Sequence, residues 1–449
     1  MNPTFQIFTL GCKVNQYESE QIRQTLCRAG FVCLEKNGRT AENLESSENA
    51  ENTVLDWLLV NSCAVTQESE AKSRKLIRQA VKRSAPRNVL VFGCSAEKDV
   101  RQYLEIPGVT HAVTGKTHGG NRVAAVLETM GIPEELCVQS LGEGLRQFGE
   151  RHRAYVKIQD GCRQFCTYCL IPHLRNELSS VPEDEVVSEV HSLLRRGYRE
   201  IILTGIHLGY YGLNPRSRTQ SRWLEEDRKR PRETNLTQLM GRLAEMEADG
   251  LGLCDFRLRL SSLEAHEAGD DLLQIMAAHR KRICPHLHLS MQSGSPTVHQ
   301  RMNRPGTVEQ YVERCESAKK ILDQPALTTD IIVGFPGETE KEFLETCEVV
   351  RHIGFSKIHI FPFSARPGTP AEKMGPAVPK EEKHRRELHL AELEKEMRER
   401  FVQSLASRKG QYLIERFHPE TQTVTGTSEY YLQSEFPGSA DDVGQFVTC

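Results

Sequence analysis

Ala154-Tyr155-Val156-Lys157-Ile158-Gln159-Asp160-Gly161-Cys162-Arg163-Gln164-Phe165-Cys166-Thr167-Tyr168-Cys169 reads as a short alternating strand running directly into three closely spaced cysteines. Three thiolates at this spacing can hold three irons of a four-iron cluster and leave the fourth iron open to a non-protein ligand. A zinc site is the alternative, because His173 follows Cys169 by four residues and completes a Cys₃His set. Position favours the cluster. A cysteine loop at the carboxyl end of a strand suits catalysis, whereas structural zinc usually staples small domains with little core.

Downstream, five more strand patterns alternate with helical ones: Glu200 to Leu203, Asp255 to Leu260, His286 to Met291, Thr328 to Val333 and Lys357 to Phe361. With Ala154 to Ile158 they make six, which predicts an open or partial β/α barrel working at its carboxyl end. Small or hydrogen-bonding residues recur where those strands stop: Leu203-Thr204-Gly205, Ser261-Ser262-Leu263-Glu264, Ser290-Met291-Gln292-Ser293-Gly294 and Val333-Gly334-Phe335-Pro336-Gly337-Glu338. A nucleoside could lie against such ends.

Upstream, a strand, a cysteine at its end and a polar helix repeat three times. Ile7 to Leu10 lead to Cys12, Trp57 to Val60 to Cys63, and Val89 to Phe92 to Cys94. Alternation of this kind predicts a doubly wound parallel sheet with its ligands beyond the strand ends. Asn15 with Glu18 reads as a capping box for the helix after Cys12, and Glu68 and Glu70 favour the first turn of the helix after Cys63. Residues 37–53 and 215–233 are polar, aperiodic insertions. Residues 380–403 form a long charged helical pattern, and short strands such as Gln411 to Glu415 follow.

Composition narrows the classes further. The formal charge is −3 over 449 residues, so any nucleic-acid contact must come from a local basic surface. No apolar run reaches the ~18 residues of a membrane helix, and the first residues lack the pattern of a signal peptide. A cytoplasmic protein is expected. Its 14 cysteines then read as metal or catalytic thiols rather than disulfides. Cys27, Cys33, Cys137, Cys254, Cys284, Cys315 and Cys347 stand alone in helix-like or strand-like patterns and are expected to be buried hydrophobes.

The Cys162, Cys166, Cys169 spacing closely resembles the radical-SAM superfamily, in which S-adenosylmethionine (SAM) chelates the open iron and is cleaved to a 5′-deoxyadenosyl radical. The resemblance implies SAM contacts at Tyr168, Thr204, Gly205, Ser261, Gln292 and Gly334. A narrower resemblance rests on Phe8-Thr9-Leu10-Gly11-Cys12-Lys13-Val14-Asn15-Gln16-Tyr17-Glu18, Val60-Asn61-Ser62-Cys63-Ala64-Val65-Thr66, Gly93-Cys94 and Phe361-Pro362-Phe363-Ser364-Ala365-Arg366-Pro367-Gly368-Thr369-Pro370. These stretches are similar to the radical-SAM methylthiotransferases.

That family likeness implies that Cys12, Cys63 and Cys94 hold a second [4Fe-4S] cluster, beside which the transferred sulfur docks. One SAM methylates that sulfur, and another supplies the radical that removes a substrate hydrogen. It further implies a tRNA substrate, an electron donor such as flavodoxin or ferredoxin, and three domains: 1–145 with the second cluster, 148–380 as the radical-SAM core, and 381–449 as linker helix and TRAM-like RNA-binding domain. The stretch after Gly11 resembles the branch acting on N6-threonylcarbamoyladenosine next to the anticodon; isopentenyladenosine tRNA, or a ribosomal protein, is the alternative substrate. A non-enzymatic iron-sulfur carrier would need neither a barrel nor a second cysteine triad. One stretch departs from the family. Members usually continue Pro-x-x-Arg-Gly-x-x-Arg-Ser, whereas this chain reads Pro172-His173-Leu174-Arg175-Asn176-Glu177-Leu178-Ser179-Ser180.

Overall fold

A computed structural model describes residues 2–34, 55–118, 121–148, 152–213, 234–246 and 255–448. Both expected insertions lie outside them, as do Cys254 and Cys449. The described chain divides into two units, residues 1–163 with 170–196 and residues 164–169 with 197–449.

The first unit is built on β1 (Thr4–Thr9), β2 (Val32–Cys33), β3 (Trp57–Ser62), β4 (Asn88–Gly93) and β5 (His111–Ala112). All pair in parallel in the order β2-β1-β3-β4-β5. A parallel sheet buries both faces, so alternate residues must feed two cores. They do: Phe5, Ile7, Leu59, Leu90 and Phe92 pack with Ile22, Leu26 and Val126 on one side. Phe8, Leu58, Val60, Val89 and Val91 pack with Leu76, Ile77 and Tyr103 on the other. The sheet is doubly wound, as the alternation predicts. The same unit holds β6 (Arg153–Asp160), which pairs antiparallel with the short β7 (Ser179–Ser180), and the helix Glu183–Arg195.

In the second unit β8 (Glu200–Gly205), β9 (Arg257–Leu260), β10 (His286–His288), β11 (Ala326–Val333) and β12 (Lys357–Pro362) follow one another in parallel. These are five of the six strands expected of the partial barrel, and β6 is the sixth by sequence. The helix Lys380–Ser404 buries Arg386, Leu390, Leu393 and Met397, a three-to-four spacing that makes a single stripe of an otherwise charged helix.

The chain ends in an antiparallel sheet of β13 (Gln411–His418), β14 (Thr423–Ser428), β15 (Gln433–Pro437) and β16 (Phe446–Thr448), ordered β15-β14-β13-β16. Buried arginines dock it. Arg257 donates to the carbonyls of Gln411 and Thr427, and Arg259 to those of Ser428 and Glu429, while Glu200 accepts from both guanidinium groups at 2.6 and 2.8 Å. No helix among the described residues is long and apolar enough to cross a membrane.

Four of the lone cysteines, Cys137, Cys284, Cys315 and Cys347, are buried as expected. Cys33 is half-buried, and Cys27 is a correction, exposed in the last turn of its helix.

Candidate active site

Cys12, Cys63 and Cys94 stand at the carboxyl ends of β1, β3 and β4, which are neighbours in the sheet. Parallel pairing is what gathers residues so distant in sequence. Cys12 precedes the helix Lys13–Arg28, and Cys94 opens the helix Cys94–Lys98. The turn before Cys12 needs its glycine: Gly11 has φ +112°, and a Cβ there would stand 3.1 Å from the Cys63 Sγ.

The capping reading of Asn15 is corrected here. The helix N-cap is Cys12, without a side-chain cap bond. Asn15 Nδ2 instead donates to the Leu10 carbonyl at 3.0 Å, and its Oδ1 lies 3.6 Å from the Cys12 Sγ. Asn61 Nδ2 donates to the Asn15 carbonyl at 2.9 Å, tying the end of β3 to the first turn of the helix Lys13–Arg28.

Burial, with smaller contributions from charge on Cys94 and Cys12, pushes the Cys63 thiol up to about 12. Neighbouring thiolates repel one another, and bound iron would offset that repulsion. Among the described residues, no set containing these cysteines has all its ligand atoms within 4.8 Å of one another. A tetrahedral zinc ion needs its sulfurs about 3.8 Å apart. Three thiolates are the donor set of a four-iron cluster with one open iron.

Arg175 was not singled out in the sequence. It is the first arginine of the departing stretch, and it lies buried with its Nε 3.4 Å from the Cys94 Sγ. Its two terminal nitrogens each reach a Glu18 oxygen at 2.8 Å, and Nη1 also reaches Asp160 at 2.8 Å. Burial alone would raise both carboxyls, but Arg175 and then Lys157 outweigh it and hold Glu18 and Asp160 below the usual carboxylate range. Arg175→Met therefore leaves the buried Glu18 and the half-buried Asp160 to the weaker hold of Lys157, and a loss of about 3 kcal/mol is expected at pH 7. The loss should shrink as the pH falls and those carboxyls protonate. Urea unfolding at pH 7 and pH 5 measures it; a variant equally stable at both would mean the pair is solvated.

A cavity of about 420 Å³ opens beside this network, lined among others by Tyr17, Glu18, Arg122, Arg175 and Glu189. Glu189 accepts from the Tyr17 hydroxyl at 3.0 Å and the Leu145 amide at 2.9 Å, yet burial outweighs both and lifts its carboxyl to about 7. Below about pH 4.5 the group is neutral in folded and unfolded chain alike. Between there and about 7 only the unfolded chain sheds its proton, so stability falls as the pH rises, by up to about 3 kcal/mol. Glu189→Gln keeps an acceptor for both donors. It should melt higher than the parent at pH 8 and nearly level with it at pH 5; equal melting at pH 8 would refute the buried carboxylate.

Of the second triad, Cys162 belongs to the first unit, where its amide donates to the Arg175 carbonyl at 2.9 Å. Cys166 and Cys169 belong to the second, where the Cys169 amide closes a turn on the Cys166 carbonyl at 3.0 Å. The segment 301–304 pins this loop. The Thr167 amide donates to the Met302 carbonyl, the Thr167 hydroxyl to that of Arg301, and the Asn303 side chain to that of Phe165.

Arg304 also went unremarked in the sequence. Its Nη1 lies 3.6 Å from the Cys166 Sγ, and the guanidinium grips Glu264 at 2.9 and 2.5 Å and the Ser290 carbonyl at 2.5 Å. Each cysteine triad thus has one buried arginine against one of its sulfurs, itself held by carboxylate. Such contacts tune the reduction potential of a cluster.

The expected SAM contacts all lie in the second unit, at successive strand ends. Thr204 is buried and Gly205 half-buried at the end of β8, and Ser261 donates its amide to the Leu203 carbonyl at 3.0 Å. Gln292 has φ +69°, held by backbone bonds of 2.9 Å to Asp330 and Ile332 on β11. Backbone held in that region is stored at functional sites more often than elsewhere. Tyr168 packs against Val298, Met302, Phe335 and Ala371. Gly334 has φ +73°, and a Cβ on it would stand 2.2 Å from the Lys383 stem, so this glycine serves a turn and the approach of a helix.

Residues 156–350 match the Radical SAM superfamily, which sets the class of enzyme, and residues 4–115 match the uncharacterized protein family UPF0004. The threonylcarbamoyladenosine tRNA methylthiotransferase MtaB of Bacillus subtilis is 33% identical over 99% of this chain and 92% of its own length. The MtaB of Thermotoga maritima is 32% identical over 99% and 93%. A tRNA-2-methylthio-N(6)-dimethylallyladenosine synthase of Carboxydothermus hydrogenoformans is 30% identical over 99% and 95%. Among solved structures, the radical SAM methyltransferase TsrM of Kitasatospora setae superposes with a TM-score of 0.57 at 13% identity, covering 83% of this chain and 74% of that one, a likeness of fold. The chain belongs to the radical-SAM tRNA methylthiotransferases. Its cofactors are [4Fe-4S] clusters and SAM.

Proposed function

We infer that this enzyme converts N6-threonylcarbamoyladenosine beside the anticodon of tRNA to its 2-methylthio derivative. The observation that carries the reading is the full-length likeness to relatives named for that substrate, joined to two separate cysteine triads, each beside a buried arginine. Cys162, Cys166 and Cys169 would hold one cluster, and Cys12, Cys63 and Cys94 the other. The first supplies the electron that cleaves SAM. Thr204, Gly205, Ser261 and Gln292 line the strand ends where SAM would lie, with Tyr168 beside the cysteine loop. Arg175 and Arg304 hold positive charge against Cys94 and Cys166.

In this reading residues 1–145 serve the sulfur side, 148–380 the radical chemistry and 381–449 the RNA. Residues 410–449 carry one arginine, Arg416, against six carboxylates, so their contact with RNA would rest on shape more than on charge. The enzyme would work in the cytoplasm with a donor such as flavodoxin or ferredoxin. Incubating it with SAM, reductant and tRNA carrying either threonylcarbamoyl or isopentenyl adenosine, followed by nucleoside mass spectrometry, tests the substrate.

A further inference from the structure

One face of the strands β10–β12 carries three residues that neither the cysteine triads nor the SAM-side positions use: His288, Asp330 and His359. Register brings them together. His288 lies opposite Thr328, and Asp330, two residues along β11 on the same face, lies opposite His359. One ligand atom from each falls within 4.8 Å of the others, the sole set of three among the described residues to do so. We propose that His288, Asp330 and His359 form a binding site for a divalent transition-metal ion, separate from both cysteine triads.

Three observations carry this. Two imidazoles and one carboxylate on a single face suit manganese, iron, cobalt or zinc, and leave positions open for oxygen ligands such as water or a carboxylate. The His288 Nε2 is 3.2 Å from the Asp330 Oδ2, about the spacing of neighbouring ligand atoms on an ion with bonds of about 2.1 Å. By strict geometry that buried Nε2 has no aligned hydrogen-bond partner at this distance.

The other ring nitrogen, Nδ1, lies 2.9 Å from the Thr328 hydroxyl. An outer partner on the second nitrogen is what orients a ligating histidine and fixes its tautomer. The His359 ring centroid is 5.6 Å from that of His288, and its ligand atom already belongs to the set.

Manganese(II) is the suitable probe, because it prefers oxygen and nitrogen to the thiolates that might otherwise trap a softer metal. The full-length protein with its clusters reconstituted, freed of excess metal anaerobically, is titrated with manganese(II) while the free ion is followed by electron paramagnetic resonance. One ion is expected per chain. His359→Ala, at an exposed position, and the isosteric Asp330→Asn should each weaken it at least about tenfold, with cluster absorbance and melting temperature kept. Zinc(II) should displace the manganese from the parent protein. No saturable binding at one ion per chain, or binding that both variants leave unchanged, overturns the proposal.

Discussion

Cys162, Cys166 and Cys169 replaced together by alanine should leave the protein with one cluster and no formation of 5′-deoxyadenosine. After anaerobic reconstitution the parent is expected to hold about eight irons and eight sulfides per chain, since each triad supplies three thiolates and leaves one iron open. The variant should hold about four of each. Replacing Cys12, Cys63 and Cys94 should also halve the iron, but with SAM cleavage retained and methylthiolated product lost. The two variants separate the roles because the triads draw on different strands: β1, β3 and β4 for one, the loop after β6 for the other. A Cys162/Cys166/Cys169 variant that still made 5′-deoxyadenosine would place the radical chemistry elsewhere. A Cys12/Cys63/Cys94 variant still holding eight irons would remove the second site.

The cysteines were legible in the sequence and the arginines were not, for a physical reason. Cys162, Cys166 and Cys169 sit within eight residues, and Cys12, Cys63 and Cys94 each end a strand whose apolar run is plain, so pattern places each at its strand end while the family resemblance is what groups the second three. Arg175 acts through Glu18, 157 residues away, and Arg304 through Glu264, 40 residues away. Buried ion pairs of that range have no periodicity to read. The strong pull of Arg175 also explains the misread cap: Glu18 has the spacing of a capping glutamate but spends both oxygens on the guanidinium. Gly334 shows the converse. A glycine at a strand end reads as room for a ligand, and only the packing of the helix Lys380–Ser404 reveals that the room is taken.

On substrate, tRNA bearing N6-threonylcarbamoyladenosine should be methylthiolated at least about a hundredfold faster than tRNA bearing isopentenyladenosine. Carbon 2 of adenine carries the same unactivated C–H bond in both, so the chemistry itself does not discriminate. The bulk beside it does: one substituent ends in a carboxylate and a hydroxyl, the other in an apolar branch. A site built to hydrogen-bond polar groups leaves them unpaired when the apolar analogue enters, and discrimination of this kind commonly exceeds a hundredfold. The shared cost of drawing the base out of the stacked loop is modest, because the anticodon loop is single-stranded. Relatives of both substrate branches align over nearly the whole chain, at 33% and 30% identity, so the difference must lie in side chains rather than in the fold. Competition of the two tRNAs in one reaction, with 2-methylthio products weighed after digestion, gives the ratio directly. Methylthiolation of the isopentenyl form alone would reverse the branch and leave both cysteine triads, and the radical step, where they stand.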